Sequence, residues 1–299
     1  MRIAPLLSAG LFLSGLLVGS AADVPDTRAP MFDRGYRILA ADFHVHAFPG
    51  DGALTPSDLL REARRRRLDV IALTNHNQML AARFAAPWSP AGDVMLLAGQ
   101  EVTASRFHLA AVGLTHPVDW RGSIQEVAAA VHEQGGVAIG AHPAGPDAVA
   151  FDAAAAAALD GLEVAHPMME LTERFRQDLA GVYARAAQVK PTIAPIGSSD
   201  YHFFGSMGLC RTYLFVREVT PGAVLDAVRS GRTVACDQQG NVTGHPDLSR
   251  SVIADCRTNA DARLQSPAAE TLSLALTWFG LLGLVLTGSL LFRRPETRH

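Results

Sequence analysis

Residues 38–46 read ILAADFHVH, an apolar run into which Asp42, His44 and His46 enter at every second position. A period of two places these three side chains on one face of an extended strand, and two imidazoles one pleat apart can hold one cation. Similar endings recur along the chain. Short apolar runs close in Thr74-Asn75-His76-Asn77, Gly99-Gln100-Glu101, Ala141-His142-Pro143 and Gly197-Ser198-Ser199-Asp200-Tyr201-His202, while His108 opens another run and Asp51 stands between two glycines. Taken singly, a strand-end histidine is a hydrogen-bonded side chain and Asp51 an ordinary turn aspartate. Their recurrence at the ends of successive strands points to a metal site, and imidazole with carboxylate suits zinc, manganese or iron.

Outward from this stretch, strands are expected at 38–45, 70–73, 94–98, 109–113, 136–141, 161–164, 193–197, 212–216 and 233–235. Helices are expected at 56–66, 124–134, 153–158, 171–189 and 221–230. The alternation favours a mainly parallel sheet with crossover helices. In an α/β barrel, the edge where these polar residues fall is where sites are built.

The two ends have another character. Met1 to Ala22 carries Arg2 as its only charge, then an apolar run and the small residues Gly19, Ser20, Ala21 and Ala22. This is the layout of a secretory signal peptide over 1–22, with an uncleaved anchor as the alternative. Residues 272–292 contain no charged side chain and are followed by Arg293, Arg294 and Arg298. They read as a transmembrane helix with a cytoplasmic tail at 293–299. The catalytic domain is expected over 23–236, outside the cytoplasmic membrane, and 237–271 as a loose tail leading to the anchor.

A net charge of -3 supplies no basic field for nucleic acid. The run Arg64 to Arg67 reads as the solvated face of a helix. Of Cys210, Cys236 and Cys256, none has metal-ligand spacing; in an oxidising compartment a pair can bridge, with Cys236 to Cys256 the pairing expected.

The Asp-Phe-His-Val-His opening, the Gly-Asp-Gly-Ala-Leu-Thr-Pro segment at 50–56, Ala-His-Pro at His142 and Ser-Ser-Asp-Tyr-His at 198–202 together resemble the polymerase-and-histidinol-phosphatase (PHP) family of metal-dependent phosphoesterases. The closing stretch, Thr212 to Val216 and Gly231 to Val234, resembles the branch that includes a carbaryl hydrolase. The resemblance covers about 38–236 and implies a distorted seven-stranded β/α barrel. It also implies two to three divalent ions: one on His44, His46, Glu101 and Asp200, a second on Glu101, His108 and His142, and a third on Asp51, His76 and His202. Asn75 departs from the family's aspartate, which is expected to weaken the orientation or basicity of His76. Asp42 and Glu163 are expected to support the ligands, whereas His116 and His166 fit no slot and read as surface histidines.

The expected reaction is hydrolysis of small phosphomonoesters or diesters by a hydroxide held between two ions. Glu101, Asp200 and His202 are the candidate catalytic residues, the last two for the leaving-group proton. Carbamate or carboxylic ester hydrolysis by the same cluster and a non-catalytic metal-binding ectodomain are the alternatives. Arg106, Arg174 and Arg176 read as surface arginines rather than phosphate ligands.

Overall fold

The computed structural model describes residues 3–22, 28–85, 94–168, 172–203, 207–262 and 268–292. The chain forms two compact units, 26–262 and a second made of the two chain ends.

In chain order the larger unit contains β1 (Met31–Asp33), β2 (Tyr36–Val45), β3 (Val70–Leu73), β4 (Met95–Thr103), β5 (His108–Val112), β6 (Val137–Ala141), β7 (Gly161–Ala165), β8 (Ala194–Gly197), β9 (Arg211–Val216), β10 (Thr233–Cys236) and β11 (Val242–Gly244). Its helices are α2 (Pro56–Arg65), α3 (Leu80–Ala85), α4 (Ile124–Glu133), α5 (Ala153–Ala158), α6 (Glu173–Val189), α7 (Pro221–Arg229), α8 (Pro246–Ser249) and α9 (Ile253–Ala262), with α1 (Ile3–Ala22) and α10 (Ala268–Phe292) at the ends.

Ten strands form one continuous path, β11-β10-β9-β2-β3-β4-β5-β6-β7-β8, and β1 pairs with β2 off that path. The seven-strand expectation is therefore corrected. So is the mainly parallel sheet, because six of the ten ladders are antiparallel. The reason is local: β4 and β5 are too close in sequence for a crossover helix and pair as a hairpin, with Thr103 opposite His108. At the far end β8 meets β9 and β10 through threonine hydroxyls. Thr212 Oγ1 accepts from Gly197 N (3.0 Å) and donates to Gly197 O (2.9 Å), and Thr233 Oγ1 donates to Pro195 O (3.0 Å). A Cβ on Gly197 would lie 2.5 Å from Arg211 O, so only glycine permits this approach. The sheet thus curls into a nearly closed barrel.

Leu39, Phe43, Val70, Ile139 and Leu214 pack in one buried cluster that Val224 and Val228 of α7 join. Ile38 and Ala40 belong instead to the cluster containing Leu59, Leu60 and Ala63 of α2. Beyond Phe43 the alternation slips: the β2–β3 register shifts between Asp42 and Val45, and Val45 and Ala47 join the α2 cluster. A bulge of this kind re-aims side chains. It separates Asp42 from the face shared by His44 and His46, correcting the single-face expectation.

The loose tail is also corrected as far as Ala262; residues 263–267 lie outside the described residues. Residues 242–262 fold as β11, α8 and α9, and Cys236 is bridged to Cys256 across Cα atoms 5.8 Å apart. Asn259 Nδ2 donates to Gly208 O and Leu209 O, and Asp255 receives Arg28 and the Tyr213 hydroxyl. A covalent bond and polar contacts hold α9, so it shows no broad apolar stripe in the sequence.

In the smaller unit, α1 and α10 pack against one another. Cβ atoms built on Gly15 and Gly280 would approach Thr277 N to 2.6 Å and Phe12 N to 2.3 Å. Both helices are long and apolar enough to cross a membrane. The expected span at 272–292 falls within α10, and the tail at 293–299 lies outside the described residues.

Candidate metal centre

The bulge in β2 delivers His44 and His46 to the C-terminal mouth of the barrel, where β3 brings His76, β4 brings Glu101 and β6 brings His142. Antiparallel pairing sets His108 opposite Thr103 and Ala141, beside Glu101 and His142. Asp200 and His202 follow β8. Two residues of this rim, His142 and Asp200, adopt left-handed φ values of 29° and 49°. Strained backbone of this sort persists only where the surroundings over-determine it, and it concentrates at functional sites.

All nine residues of the expected ligand set converge. His44 Nε2 and His46 Nε2 each lie 3.4 Å from Glu101 Oε2 and 3.2 Å from Asp200 Oδ1. Asp51 Oδ2 lies 3.2 Å from His76 Nε2 and 3.4 Å from His202 Nε2. Glu101 Oε1 lies 2.6 Å from His108 Nδ1 and 3.3 Å from His142 Nε2. His76 also leans towards Glu101: its Nδ1 is 2.6 Å from Oε2 while hydrogen-bonded to the Thr103 hydroxyl.

Hydrogen bonds between imidazole and carboxylate are short, as in His44 Nδ1 to Glu163 Oε1 at 2.9 Å. Ligand atoms about 2.1 Å from one tetrahedral ion stand roughly 3.4 Å apart, close to the 3.2–3.4 Å at which the His44 and His46 Nε2 atoms stand from Asp200 Oδ1 and Glu101 Oε2, and the His76 and His202 Nε2 atoms from Asp51 Oδ2. His44 Nε2, His46 Nε2, Glu101 Oε2 and Asp200 Oδ1 are also buried without a hydrogen-bond partner. Unsatisfied buried polar atoms cost free energy unless something fills the gap between them. The residues present therefore fit divalent cations.

Titration follows from the same packing. Burial pushes the Glu101 carboxyl up, but His44, His108 and His142 override it and hold Glu101 well below the usual carboxylate range. Burial and then His44, His166 and His46 act likewise on Asp200, with a net fall. Burial lowers His46, and Asp200, Asp51 and Glu101 more than reverse this, raising it to about 10. Asp51 is raised by burial and lowered by His46 and His76, to a net value of about 2.

Supporting residues brace the rim. Glu163 accepts from His142 N through Oε2 (2.7 Å) while its Oε1 meets His44 Nδ1, so one carboxylate fixes a histidine ring and a strand end. Asp42 accepts from Ser199 N (3.0 Å), the Ser199 hydroxyl and Gly208 N (2.8 Å), tying β2 to the segment that carries Asp200. Asn75 makes its hydrogen bonds to the loop at Ala47 and Asp51. Its Nδ2 donates to Ala47 O (2.6 Å) and Asp51 Oδ1 (3.2 Å), and its Oδ1 accepts from Ala47 N (3.1 Å). An ionised aspartate could make neither donation, so asparagine is the residue that can hold Asp51 in place. A Cβ on Gly52 would lie 2.1 Å from His46 O, which shows how closely the same loop folds back.

His166 is the residue that the sequence reading misplaced. It is fully buried, not on the surface, and its Nε2 lies 3.4 Å from Asp200 Oδ2. The available signal was its place just past β7, the same strand-end position as the other ligands. His116 is exposed, as are Arg106, Arg174 and Arg176. Arg106 lines a groove of about 480 Å³ with Phe107, Trp120 and Arg121, next in sequence to His108.

No protein-family profile matches the chain. It is 27% identical over 139 residues to an uncharacterized protein, MJ1587, of Methanocaldococcus jannaschii, which covers 42% of this chain and 81% of that protein. An amidohydrolase from Chromobacterium violaceum with bound sulfate has 17% identity and a TM-score of 0.45, covering 73% of this chain and 96% of that one. A two-domain protein from Bacteroides vulgatus containing a predicted PHP-like metal-dependent phosphoesterase superposes with a TM-score of 0.59 at 19% identity, over 77% of this chain and 74% of that one. The barrel described above therefore has the fold of a protein containing a PHP-like phosphoesterase.

Proposed function

We propose that the chain is a metal-dependent hydrolase of small phosphomonoesters or diesters, anchored in a membrane with the 26–262 unit outside the cytoplasm. The observation that carries the enzymatic reading is the convergence of partnerless buried nitrogens and oxygens of His44, His46, Glu101 and Asp200 at 3.2–3.4 Å. Divalent ions bound there would supply Lewis acidity to phosphoryl oxygens and make water more acidic. The protein's part is placement. Glu101 presents one oxygen to His44 and His46 and the other to His108 and His142, which suits a bridging role; Asp51, His76 and His202 gather at the outer edge for a third ion. Glu163 holds the His44 ring and Asp42 holds the Asp200 segment, so the donors are set before substrate arrives. Asp200 and His202 are the candidates for handling the leaving-group proton.

A nitrophenyl phosphate, a bis-nitrophenyl phosphate, a naphthyl carbamate and an RNA oligonucleotide, offered to metal-reconstituted protein, test this. Turnover of the phosphate esters is expected to exceed the rest. Turnover of the carbamate alone would move the chemistry to carbon, and no turnover by protein with measured metal would leave a binding ectodomain. Placement outside the cytoplasm is supported by the Cys236–Cys256 bond, which persists in oxidising compartments, and by two apolar helices at the chain ends. An alkaline phosphatase fusion after Glu270 should be active there, and β-galactosidase activity at that point would reverse the orientation.

A further inference from the structure

We propose that His142, His166 and Asp200 form an additional seat for a divalent cation, joined to the His44–His46 position through the Asp200 carboxylate. This rests on the metal-centre reading and extends it to a residue outside the nine expected ligands. Asp200 uses its two oxygens differently: Oδ1 lies 3.2 Å from both His44 Nε2 and His46 Nε2, and Oδ2 lies 3.4 Å from His166 Nε2. The second separation matches the ligand-to-ligand edges elsewhere in the cluster and exceeds the 2.9 Å of the His44–Glu163 hydrogen bond. Donor atoms of His142, His166 and Asp200 all lie within 4.8 Å of one another. The His142 and His166 rings meet edge to face, with centroids 5.2 Å apart. Three protein ligands with an open fourth position is the arrangement that leaves a cation free to take water or substrate. Glu163 already fixes the His142 backbone, so the ring that completes this seat is held from behind. Because His142 Nε2 also faces Glu101 Oε1 at 3.3 Å, one histidine stands between two seats, and an ion there has a choice of partners.

The test uses zinc and the full-length chain in detergent. Anomalous diffraction at the zinc edge should show a peak roughly 2.1 Å from both His166 Nε2 and an Asp200 oxygen, besides one between His44 and His46. A peak at His44–His46 with none at His166 overturns this proposal and leaves the metal centre standing; no peak anywhere overturns both. His166→Gln gives a second reading, since an amide can still hydrogen-bond Asp200 but replaces the imidazole ligand. Bound zinc should fall by about one ion per chain with the His44–His46 peak retained. An unchanged zinc complement in His166→Gln would show that His166 is no ligand.

An independent observation concerns the chain ends, from which we infer that α1 is retained as a membrane span paired with α10. The contacts run antiparallel: Gly19 faces Ser273, Gly15 faces Thr277, Phe12 faces Gly280 and Ser8 faces Gly283. Ser273 Oγ donates to Gly15 O at 2.7 Å. Small residues that let backbones approach this closely, with an interhelical hydrogen bond, are how spans associate in lipid, where the hydrophobic effect gives no drive. A segment removed on export could not make them. Intact mass of the protein from membranes should include residues 3–22; a mature chain starting at Ala22 or Asp23 would overturn the inference.

Discussion

Two charged clusters of the barrel unit behave in opposite ways. At the flank, Arg28 donates to Asp69 (2.6 Å), Asp255 (3.3 Å) and Ile38 O (2.8 Å), Tyr213 donates to Asp255 (2.8 Å), and Asp69 also takes Ala40 N (2.8 Å). Each carboxylate there has its cation or donor, and the nearby Cys236–Cys256 bond secures the same helix. At the mouth, the fully buried His44, His46 and Glu101 and the partly buried Asp200 stop at 3.2–3.4 Å from one another, with four ligand-type atoms left partnerless. The carboxylates of the first cluster are all met by a cation or a donor, although Arg28 Nε is buried without a partner, and this cluster serves stability. The second is complete only with cations, and so is the place to look for chemistry.

This contrast can be broken from either side. The largest effect is expected from Glu101→Gln, which weakens the carboxylate facing both histidine pairs. Turnover of protein with measured metal content should fall by about three decades, roughly 4 kcal/mol of barrier. Near wild-type turnover in folded, metal-replete variant would remove Glu101 from the bridging role. Cys256→Ser acts on the other cluster: opening the link should cost about 3 kcal/mol of stability in denaturant titration, with zinc content per folded chain unchanged. Arg28→Ala should cost about 2 kcal/mol by leaving Asp69 and Asp255 without their cation, again sparing metal content. Loss of metal in either would show that the clusters are coupled.

Acid should separate them further. His46 is raised to about 10 in the metal-free protein, so between roughly pH 6.5 and 10 it holds a proton that a bound cation must displace. Metal affinity should rise with pH through that window, about tenfold per unit for each proton released, as calorimetry in buffers of differing ionisation heat would measure. The sign for folding is opposite. Stability that protonated His46 lends the metal-free chain is full below about pH 6.5 and lost as pH climbs through 10. The smallest effect is expected from His202→Ala, which removes a ligand only from the outermost group: about a fivefold loss of turnover, roughly 1 kcal/mol, with weaker binding of phosphate-bearing substrates. A loss equal to that of Glu101→Gln would make His202 part of the central machinery.

Much of the site was legible because ligand chemistry is carried by residue type and strand ends are marked by periodicity. His44, His46, Asp51, His76, Glu101, His108, His142, Asp200 and His202 could all be named on those grounds and on resemblance, and they do meet. His166 was not, since a lone histidine after Glu-Val-Ala carries no label until β7 sets it beside Asp200. The partners of Asn75 are equally silent in the sequence: they depend on a loop folding back at Gly52, which no local pattern announces.

The sequence by itself determined which metal-ligating residue types stand at the strand ends, the apolar character of the two ends and most strand and helix positions, because those depend on side-chain type and on periods of two and 3.6 residues. Tertiary structure alone decided how many strands join the sheet, which ladders run antiparallel, that the polar stretch after Cys236 is folded, and which oxygen of Asp200 faces which histidine. Those outcomes depend on contacts between residues far apart in the chain, such as Thr212 with Gly197 or Asp255 with Arg28, and on a bulge that changes the face of every residue after it.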